Sequence, residues 1–336
     1  MPVSSSVDIV YLWVDGNDAQ WRQKRQKHFE ALNNESYESL APHSNVEGRY
    51  RNNEELRFSL RALEKFFPAH GHIYLVTDGQ APSWLKPSDR LTLIDHRELI
   101  PGDALPTFDS SNIESYIHHI PGLSERYFYL NDDVFFGAPV RLEDWFWEAG
   151  VYVSWSDDPE VIGEFMDAQS NSLENASRLS KAWLENKAKP SLPTSAAHTR
   201  PLDPTYRHTR RTFSHSPRPM LKSVLLELER DALSMFESVR SNVFRTWNKP
   251  TIISDFVPRW ALAHGLAQLK SHSHLYISTG SCMASTELQD LQQQFGTLDF
   301  FCINDTTDDA HSEDPRHLLI QTTLAKMLPA PSSHEV

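Results

Sequence analysis

Residues 126–134, RYFYLNDDV, constrain this chain most, because a buried strand there runs directly into two adjacent carboxylates. Residues 127–130 are aromatic or apolar and contain no glycine or proline, a pattern typical of a buried strand. Asp132 and Asp133 follow, and burying two unpaired carboxylates is costly. Mg²⁺ removes that cost and is commonly held by one or two carboxylates together with substrate phosphates. The segment predicts either a metal and diphosphate site or an Asx-type turn that closes a strand.

The position of the two carboxylates relative to the strand decides whether they can act together. Side chains alternate between the two faces of a strand, so Asp132 and Asp133 reach one ion only if the strand has already ended. Ligands of open α/β sheets bind beyond the carboxyl ends of the strands. We therefore expect the site at that edge of a sheet.

The bulk composition excludes several classes of protein. The chain has 336 residues, with 32 basic and 45 acidic side chains and a net charge of −13, which argues against a nucleic-acid binder that neutralises phosphates. Its two cysteines, Cys282 and Cys302, form neither a disulfide framework nor a C-x-x-C zinc pair. The N-terminus lacks the features of a secretory signal, and no stretch is long and apolar enough to span a bilayer. These features predict a cytoplasmic protein and leave peripheral membrane association open.

The order of predicted elements indicates the fold class. Apolar strands are predicted at 8–14, 72–78 and 91–95, ahead of the strand at 127–130. An amphipathic helix is predicted at 56–67, closed by the following proline. This alternation predicts an α/β protein with a mostly parallel, Rossmann-like sheet flanked by helices.

Three segments are predicted. Residues 1–155 form a nucleotide-binding α/β core, 156–212 form a polar helical or mobile insertion, and 213–336 complete the core. Further helices are predicted at 223–236 and 255–269.

The first strand is followed by a turn-forming run, Asp15, Gly16, Asn17 and Asp18. In doubly wound folds a nucleotide often lies at this point, and Gly16 would let a ligand approach the backbone. A plain turn that ends the strand explains the same residues.

Other candidates lie on the predicted helices and loops. Arg57 and Arg61 share a helix face and are either hydrogen-bond donors to a diphosphate or solvated charges. Glu114 and His118 are four residues apart on one face, which suits either a metal or base site or a local hydrogen bond. His215 lies in a Ser/Pro-rich loop and is a general base, a hydrogen-bond donor to a phosphate, or a surface histidine.

Six stretches together resemble the Stealth family: DIVYLWVDGND, RYRNNEELRFSLRALEKF, IYLVTDGQAPSWL, LPTFDSSNIESYIHHIPGLSERYFYLNDDVFFG, FSHSPRPMLKSVLLELE and INDTTDD. That family includes bacterial capsular polysaccharide phosphotransferases and the catalytic subunit of the lysosomal-enzyme N-acetylglucosamine-1-phosphotransferase. Its four conserved regions have counterparts at 8–18, 49–140, 213–270 and 299–331. The middle segment lies outside all four, as a possible acceptor lid.

The resemblance implies a fold of the GT-A kind and transfer of a sugar 1-phosphate. The donor is a nucleotide sugar, usually a UDP-sugar, the acceptor is a saccharide hydroxyl, and the products are a phosphodiester and UMP. Phosphoryl transfer depends on charge neutralisation and in-line positioning, and the implied cofactor is Mg²⁺ or Mn²⁺. The resemblance implies an enzyme of the bacterial branch of the family, which acts in capsule or exopolysaccharide synthesis.

The resemblance also implies residue roles. Asp133, His215 and Arg245 would be catalytic, with either His215 or Asp133 as the base and Arg245 stabilising the transferred phosphoryl group. Asp132, Asp133 and Asp305 would hold the metal. The nucleotide-sugar pocket would be formed by residues from the first two regions: Asp15, Gly16, Asn17, Asp18, Asn53, Glu54, Arg57, Glu114 and His118.

Asn52, Asp109 and Arg218 depart from the usual family pattern, so the sugar is not implied. Two other functions remain open: a glycosyltransferase that releases UDP, and a non-catalytic nucleotide-sugar binder.

Overall fold

The computed structural model describes residues 6–188, 200–311 and 314–336. Its strands, in chain order, are β1 (Asp8–Leu12), β2 (Ile73–Thr77), β3 (Leu91–Asp95), β4 (Arg126–Asn131), β5 (Val134–Phe136), β6 (Phe146–Trp147), β7 (Gly150–Val153), β8 (Arg218–Leu221), β9 (Ala267–Leu269), β10 (His274–Ser278) and β11 (Phe300–Asn304).

The α-helices are α1 (Ala19–Glu30), α2 (Asn34–Glu38), α3 (Glu55–Phe66), α4 (His96–Leu99), α5 (Ser110–Glu114), α6 (Ser172–Ala188), α7 (Lys222–Asp231), α8 (Leu233–Arg240), α9 (Val257–Ala263), α10 (Ala284–Gln294) and α11 (Pro315–Met327). Short 3-10 turns occur at Glu47–Tyr50, Gly102–Ala104, Ile117–His119 and Leu142–Asp144, and a π-helical turn at Ile252–Phe256 precedes α9.

The main sheet has the order β3-β2-β1-β4-β8. Its first four strands are parallel, and β8 is an antiparallel edge strand. The prediction of an α/β protein with a mostly parallel sheet is confirmed. Because the chain leaves β1 for β2 on one side and later returns to β4 on the other, the crevice beyond β1 and β4 is a topological switch point.

Two smaller sheets extend the main one. Their orders are β10-β11-β5 and β6-β7-β9. In both, a strand from the last third of the chain pairs with one from the first half, as β11 does with β5 and β9 with β7. Strand β8, from the middle third of the chain, likewise pairs with β4 of the first half. The segment after residue 213 therefore completes sheets that the segment before residue 155 begins.

Alternating side chains of the main sheet fill two cores. One face, with Tyr11 and Phe128, packs against α3 and the β10-β11-β5 sheet. The other face, with Tyr129 and Val76, packs against α7, α8 and α9. Burial of both faces explains why β1, β2 and β4 consist of nearly continuous apolar runs. The same burial fixes their register, because a one-residue slip would exchange the two faces.

Two helix predictions differ from the structure. The helix predicted at 255–269 ends at Ala263, and Ala267–Leu269 is instead strand β9, paired with β7. Gly265 has a positive φ of 68°, a conformation that turns the chain out of the helix at little cost. The helix predicted at 223–236 is two helices, α7 and α8, separated by the non-helical backbone of Ala232.

The predicted insertion contains α6, whose Ser180 donates a hydrogen bond to Asp255 and whose Leu184 joins the second core. Residues 189–199 of the predicted lid lie outside the described residues, and the lid stays a prediction. Among the helices of the described ranges, none is long and apolar enough to cross a membrane.

Candidate active site

Polar side chains collect beyond the carboxyl ends of β1, β2 and β4. Because Leu12 of β1 lies opposite Asn131 of β4 and Val76 of β2, the loops that follow these strands start at one edge of the sheet. Gln80 links two of these loops: its side-chain amide bonds the backbone N–H of Asp15 at 2.9 Å and the Asp15 carbonyl at 3.0 Å. The loops after β1 and β4 at this edge contain six of the predicted site residues: Asp15, Gly16, Asn17, Asp18, Asp132 and Asp133.

Asp132 and Asp133 form the two-residue connection between β4 of the main sheet and β5 of a second sheet. The strand has ended at Asn131, so the two side chains are free of strict alternation, as the prediction requires. The backbone carbonyl of Asp133 accepts a hydrogen bond from Ile303 at 3.0 Å, which fixes this connection to β11. The acidic pair is thereby held at the junction of two sheets.

Asp133 lies between a histidine and a cysteine. Its Oδ1 is 3.3 Å from His215 Nε2, and the Cys302 thiol donates to its Oδ2 at 3.4 Å. The side chains of Asp133 and His215 are 18% and 24% exposed, so a substrate can reach them. Cys302 is buried, and burial together with the Asp133 carboxylate raises the pKa of its thiol well above the ordinary value. The thiol therefore stays protonated and acts as a hydrogen-bond donor.

Glu55 is a third carboxyl group of this cluster, and the sequence analysis did not single it out. It is the first residue of α3, and its Oε2 accepts the backbone N–H of Asn53 at 2.7 Å. Burial raises the pKa of Glu55 to about 7, with a contribution from the Asp133 carboxylate. Burial, followed by the Glu55 and Asp133 carboxyl groups, raises the pKa of Asp132 well above its ordinary value.

Two carboxyl groups with raised pKa values, Glu55 and Asp132, are a suitable environment for a divalent cation, which would favour their ionised forms. Asp132 and Asp133 stay the predicted metal ligands; among the described residues, the potential ligand atoms grouped closely with Asp133 are those of His215 and Cys302. Cys302 and His215 flank the same carboxylate, and they are ligand types that Mg²⁺ does not favour. The prediction of a Mg²⁺ or Mn²⁺ site therefore rests on the oxygen donors alone.

Asp305 occupies a different environment. Its Oδ1 accepts hydrogen bonds from Thr279 and from the backbone and hydroxyl of Thr307, and its Oδ2 accepts from Arg51 at 2.6 Å and Asn53 at 3.2 Å. Despite burial, the bonds from Thr307 and Arg51 lower its pKa. Five donors already use the lone pairs of this carboxylate, so its predicted role as a metal ligand stays a prediction that the geometry does not favour.

The turn after β1 is built from its own side chains. Asp18 caps α1 by accepting the Trp21 N–H at 2.6 Å, and Asp15 Oδ1 accepts the Asn17 N–H at 3.0 Å. A Cβ on Gly16 would lie 1.8 Å from the Tyr50 carbonyl oxygen. The small size of Gly16 therefore accommodates the Tyr50 backbone, and this differs from the ligand approach that the sequence suggested.

Three predicted pocket residues lie at the start of α3. Asn53 is buried and donates to Asp305, and Glu54 adopts a left-handed φ of 66°. Arg57 contacts Glu335 at 2.6 Å and Glu54 at 3.4 Å. Arg57 is thus paired with protein carboxylates, and its predicted contact with the nucleotide sugar stays untested.

Arg245 lies in a second polar group around the start of α5. Its Nε donates to Asp109 at 3.2 Å and its Nη2 to Ser110 Oγ at 2.5 Å. Arg49 donates to the same hydroxyl at 3.3 Å. Two guanidinium groups therefore meet at one serine, with one carboxylate beside them.

Glu114 and His118, predicted as a pair, take separate partners. Glu114 Oε1 accepts from the Tyr129 hydroxyl at 2.9 Å, and burial raises its pKa. His118 Nε2 contacts Glu229 of α7 at 2.8 Å, and His119 contacts the same oxygen at 2.8 Å. His118 is therefore bound to α7 and does not face Glu114.

Comparisons with known proteins show similarity along almost the whole chain. The family models for Stealth conserved regions 1 and 2 match residues 5–27 and 49–153. The capsular polysaccharide phosphotransferase fcs1 of Haemophilus influenzae is 31% identical over 308 residues, which are 90% of this chain and 78% of that protein. An exopolysaccharide phosphotransferase of Streptomyces coelicolor is 32% identical over 98% of this chain and 52% of its own length. This chain thus spans about half the length of the Streptomyces relative.

Among solved structures, the galactosyltransferase LgtC in complex with donor and acceptor sugar analogs is 11% identical, with a TM-score of 0.44 over 97% of this chain and 98% of that chain. A TM-score of this size carries no functional argument. The match to fcs1 extends over most of both proteins, and both family models lie on residues that build the site. The chain belongs to the Stealth family.

Proposed function

We propose that this chain transfers a sugar 1-phosphate from a nucleotide sugar, a UDP-sugar, to a hydroxyl group of a saccharide acceptor. The observation that carries the proposal is the contact between Asp133 and His215, which joins a carboxylate of the acidic cluster to a partly exposed imidazole. The names of the relatives, capsular and exopolysaccharide phosphotransferases, support the same reaction class.

His215 is suited to be the general base. In the tautomer that donates from Nε2 to Asp133, Nδ1 is unprotonated and can accept a proton, as a base requires. The acceptor hydroxyl oxygen bonds to the phosphorus that bears the sugar, and its proton passes to His215. The bond from that phosphorus to the bridging oxygen breaks, so UMP leaves with the oxygen. The carboxylate orients the imidazole and stabilises its protonated form.

Charge neutralisation comes from two sources. Arg245 supplies a guanidinium that matches the geometry of a phosphate group. Asp132 and Asp133, with Glu55 beside them, would hold Mg²⁺ or Mn²⁺, and the cation would neutralise the diphosphate. These side chains follow the end of β4, lie at the start of α3 or come from loops far along the chain. The assembled fold is therefore required for activity.

The test is the identity of the nucleotide that is released. The protein is incubated with UDP-sugars and a saccharide acceptor in the presence of Mg²⁺, Mn²⁺ or EDTA, and the products are separated by ion-exchange chromatography. We expect UMP, formed only with a divalent cation and lost in His215→Ala but retained in the control His311→Ala, which changes an exposed histidine. Release of UDP would refute phosphotransfer and indicate glycosyl transfer.

A further inference from the structure

Arg218 is a buried arginine that lacks a hydrogen-bonding partner. It begins β8, three residues after His215, and is only 7% exposed. Within residues 6–188, 200–311 and 314–336 it makes no hydrogen bond or close ion pair, and its Nη2 is fully enclosed. Burying a guanidinium without acceptors is costly, and such charges are normally paired.

Arg259 shows how this fold satisfies a structural arginine. Its side chain is fully buried, as that of Arg218 nearly is, but it bonds Asp255 at 2.5 Å and the carbonyls of Thr209 and Arg211 at 2.6 and 2.8 Å. The contrast indicates that Arg218 is not held for stability alone. An acceptor for Arg218 is missing from the described protein groups.

The neighbours of Arg218 are Tyr129, near the carboxyl end of β4, and Glu114, which bonds Tyr129. Arg218 lies opposite Tyr129 in the β4-β8 pair, and directly opposed residues project from the same face of a sheet. The Tyr129 hydroxyl bonds Glu114, whose second oxygen, Oε2, is buried without a hydrogen bond among the described residues. Burial raises the pKa of Glu114 against the opposing effect of Arg245 and Arg218, and no hydrogen bond between described residues joins this carboxyl group to Arg218.

Two more guanidinium groups, those of Arg245 and Arg49, contact the opposite end of α5. Ser110 is four residues before Glu114, on the same helix face, and receives hydrogen bonds from both Arg245 and Arg49. The nearby Asp109 is already bonded by Arg245. Three arginines therefore flank one helical turn that carries two carboxyl groups, which leaves an excess of positive charge.

We propose that Arg218 binds an anionic phosphate oxygen of the substrate, on the Glu114 side of His215 and together with Arg245. A guanidinium presents a planar fork that matches phosphate bidentately, and a bound phosphate supplies the acceptors that the folded chain does not. The proposal rests on the proposed function, because it places a second phosphate-binding arginine beside the base. Its test uses inorganic phosphate and does not depend on turnover.

The experiment compares thermal unfolding of the wild type, Arg218→Met and Arg218→Lys in phosphate and in chloride at matched ionic strength. Phosphate binding to the folded state raises the Tm by mass action. We expect phosphate to raise the Tm of the wild type, and of the exposed control Arg141→Met, above the chloride value. Arg218→Met should lose this rise, and Arg218→Lys should retain part of it.

The Tm in chloride separates a ligand-binding arginine from a structural one. Arg218→Met removes an unpaired buried charge, so its Tm without phosphate should equal or exceed that of the wild type. Arg259→Met breaks a buried ion pair and should lower the Tm strongly. A wild-type Tm that ignores phosphate, an unchanged phosphate response in Arg218→Met, or a loss of Tm in chloride like that of Arg259→Met would overturn the proposal.

Two further readouts identify the source of the anion. UDP-sugar binding weakened by about tenfold or more in Arg218→Met, with an unchanged acceptor KM, assigns the contact to the donor phosphate. A raised acceptor KM with unchanged donor binding overturns that assignment and indicates an acidic acceptor. If the enzyme released UDP, the proposed phosphotransfer would fail, while phosphate binding at Arg218 would remain measurable.

Discussion

Glu335→Gln tests whether the last described residues hold α3, the helix that presents Glu55 to the site. The Glu335 side chain is 1% exposed and accepts from Arg57 Nε at 2.6 Å and from Arg61 Nε and Nη2 at 2.7 Å each. Both arginines lie on α3. The sequence predicted that they are hydrogen-bond donors to a diphosphate or solvated charges. In the structure both pair with the Glu335 carboxylate.

The energy follows from the acidity of Glu335. Burial opposes its ionisation, but hydrogen bonds from Arg61, Ser332 and Arg57 outweigh burial and lower its pKa from 4.5 to about 2. At about 1.4 kcal/mol for each pKa unit, the ionised carboxylate contributes about 3 kcal/mol to the free energy of unfolding. Because the folded-state pKa is the lower one, this contribution is present above the ordinary pKa and is lost as the pH falls toward about 2.

Urea unfolding of the wild type and the variant measures this term. Near neutral pH, Glu335→Gln should lower the free energy of unfolding by about 3 kcal/mol, and by less than half of that at about pH 3. Glu148→Gln, which changes an exposed carboxylate, is the control and should change it by less than about 0.5 kcal/mol. A difference between the wild type and Glu335→Gln that stayed constant with pH would show that packing is responsible, and the reasoning would be refuted.

Three further outcomes are expected at the site. Asp133→Asn and His215→Ala should each lower kcat by about 10²-fold or more in the nucleotide-release assay with an unchanged circular dichroism spectrum, and full activity in both would refute the assignment. Asp305→Ala removes the carboxylate that pairs with Arg51 and accepts from Asn53, so that Arg51 keeps only the neutral acceptors Thr307 and Ala310, and should lower the free energy of unfolding by about 3 kcal/mol or more, measured in urea. Glu55→Gln should weaken Mn²⁺ binding, measured by titration calorimetry, and equal affinity would exclude Glu55 from the cation site.

Local sequence was sufficient for the four parallel strands of the main sheet, whereas the edge strand β8 was not predicted. The prediction at 91–95 matches β3, and the other predicted strands agree with β1, β2 and β4 to within two residues at either end. Strands β1, β2 and β4 are buried on both faces and end in polar turns, so their signal is local, whereas β3 is partly exposed. The break between α7 and α8 depends on tertiary packing around the buried Ala232, and helical periodicity does not report such a break.

The pairing of Asp133 with His215 shows the limit of local reasoning about the site. Each residue was a candidate, and the resemblance to a family placed both in one site. Their contact joins positions 82 residues apart. A single sequence carries no distance information between β4 and the loop before β8, so the geometry emerges only from the assembled sheet. The partners of Arg57 were hidden for the same reason, since Glu335 is 278 residues away.

Glu55 was missed because a simpler explanation was available. An acidic residue in the first turn of a helix is stabilised by the helix dipole, and that account requires no site. The structure adds the left-handed backbone of Glu54 and the bond from Asn53 to the Glu55 carboxylate, which together direct the start of α3 toward Asp132. Three carboxyl groups in one partly buried cluster cannot all ionise cheaply without a cation. The raised pKa values of Glu55 and Asp132 therefore reflect the unfavourable free energy of ionising both groups. A divalent ion that bound together with the donor diphosphate would make their ionisation favourable.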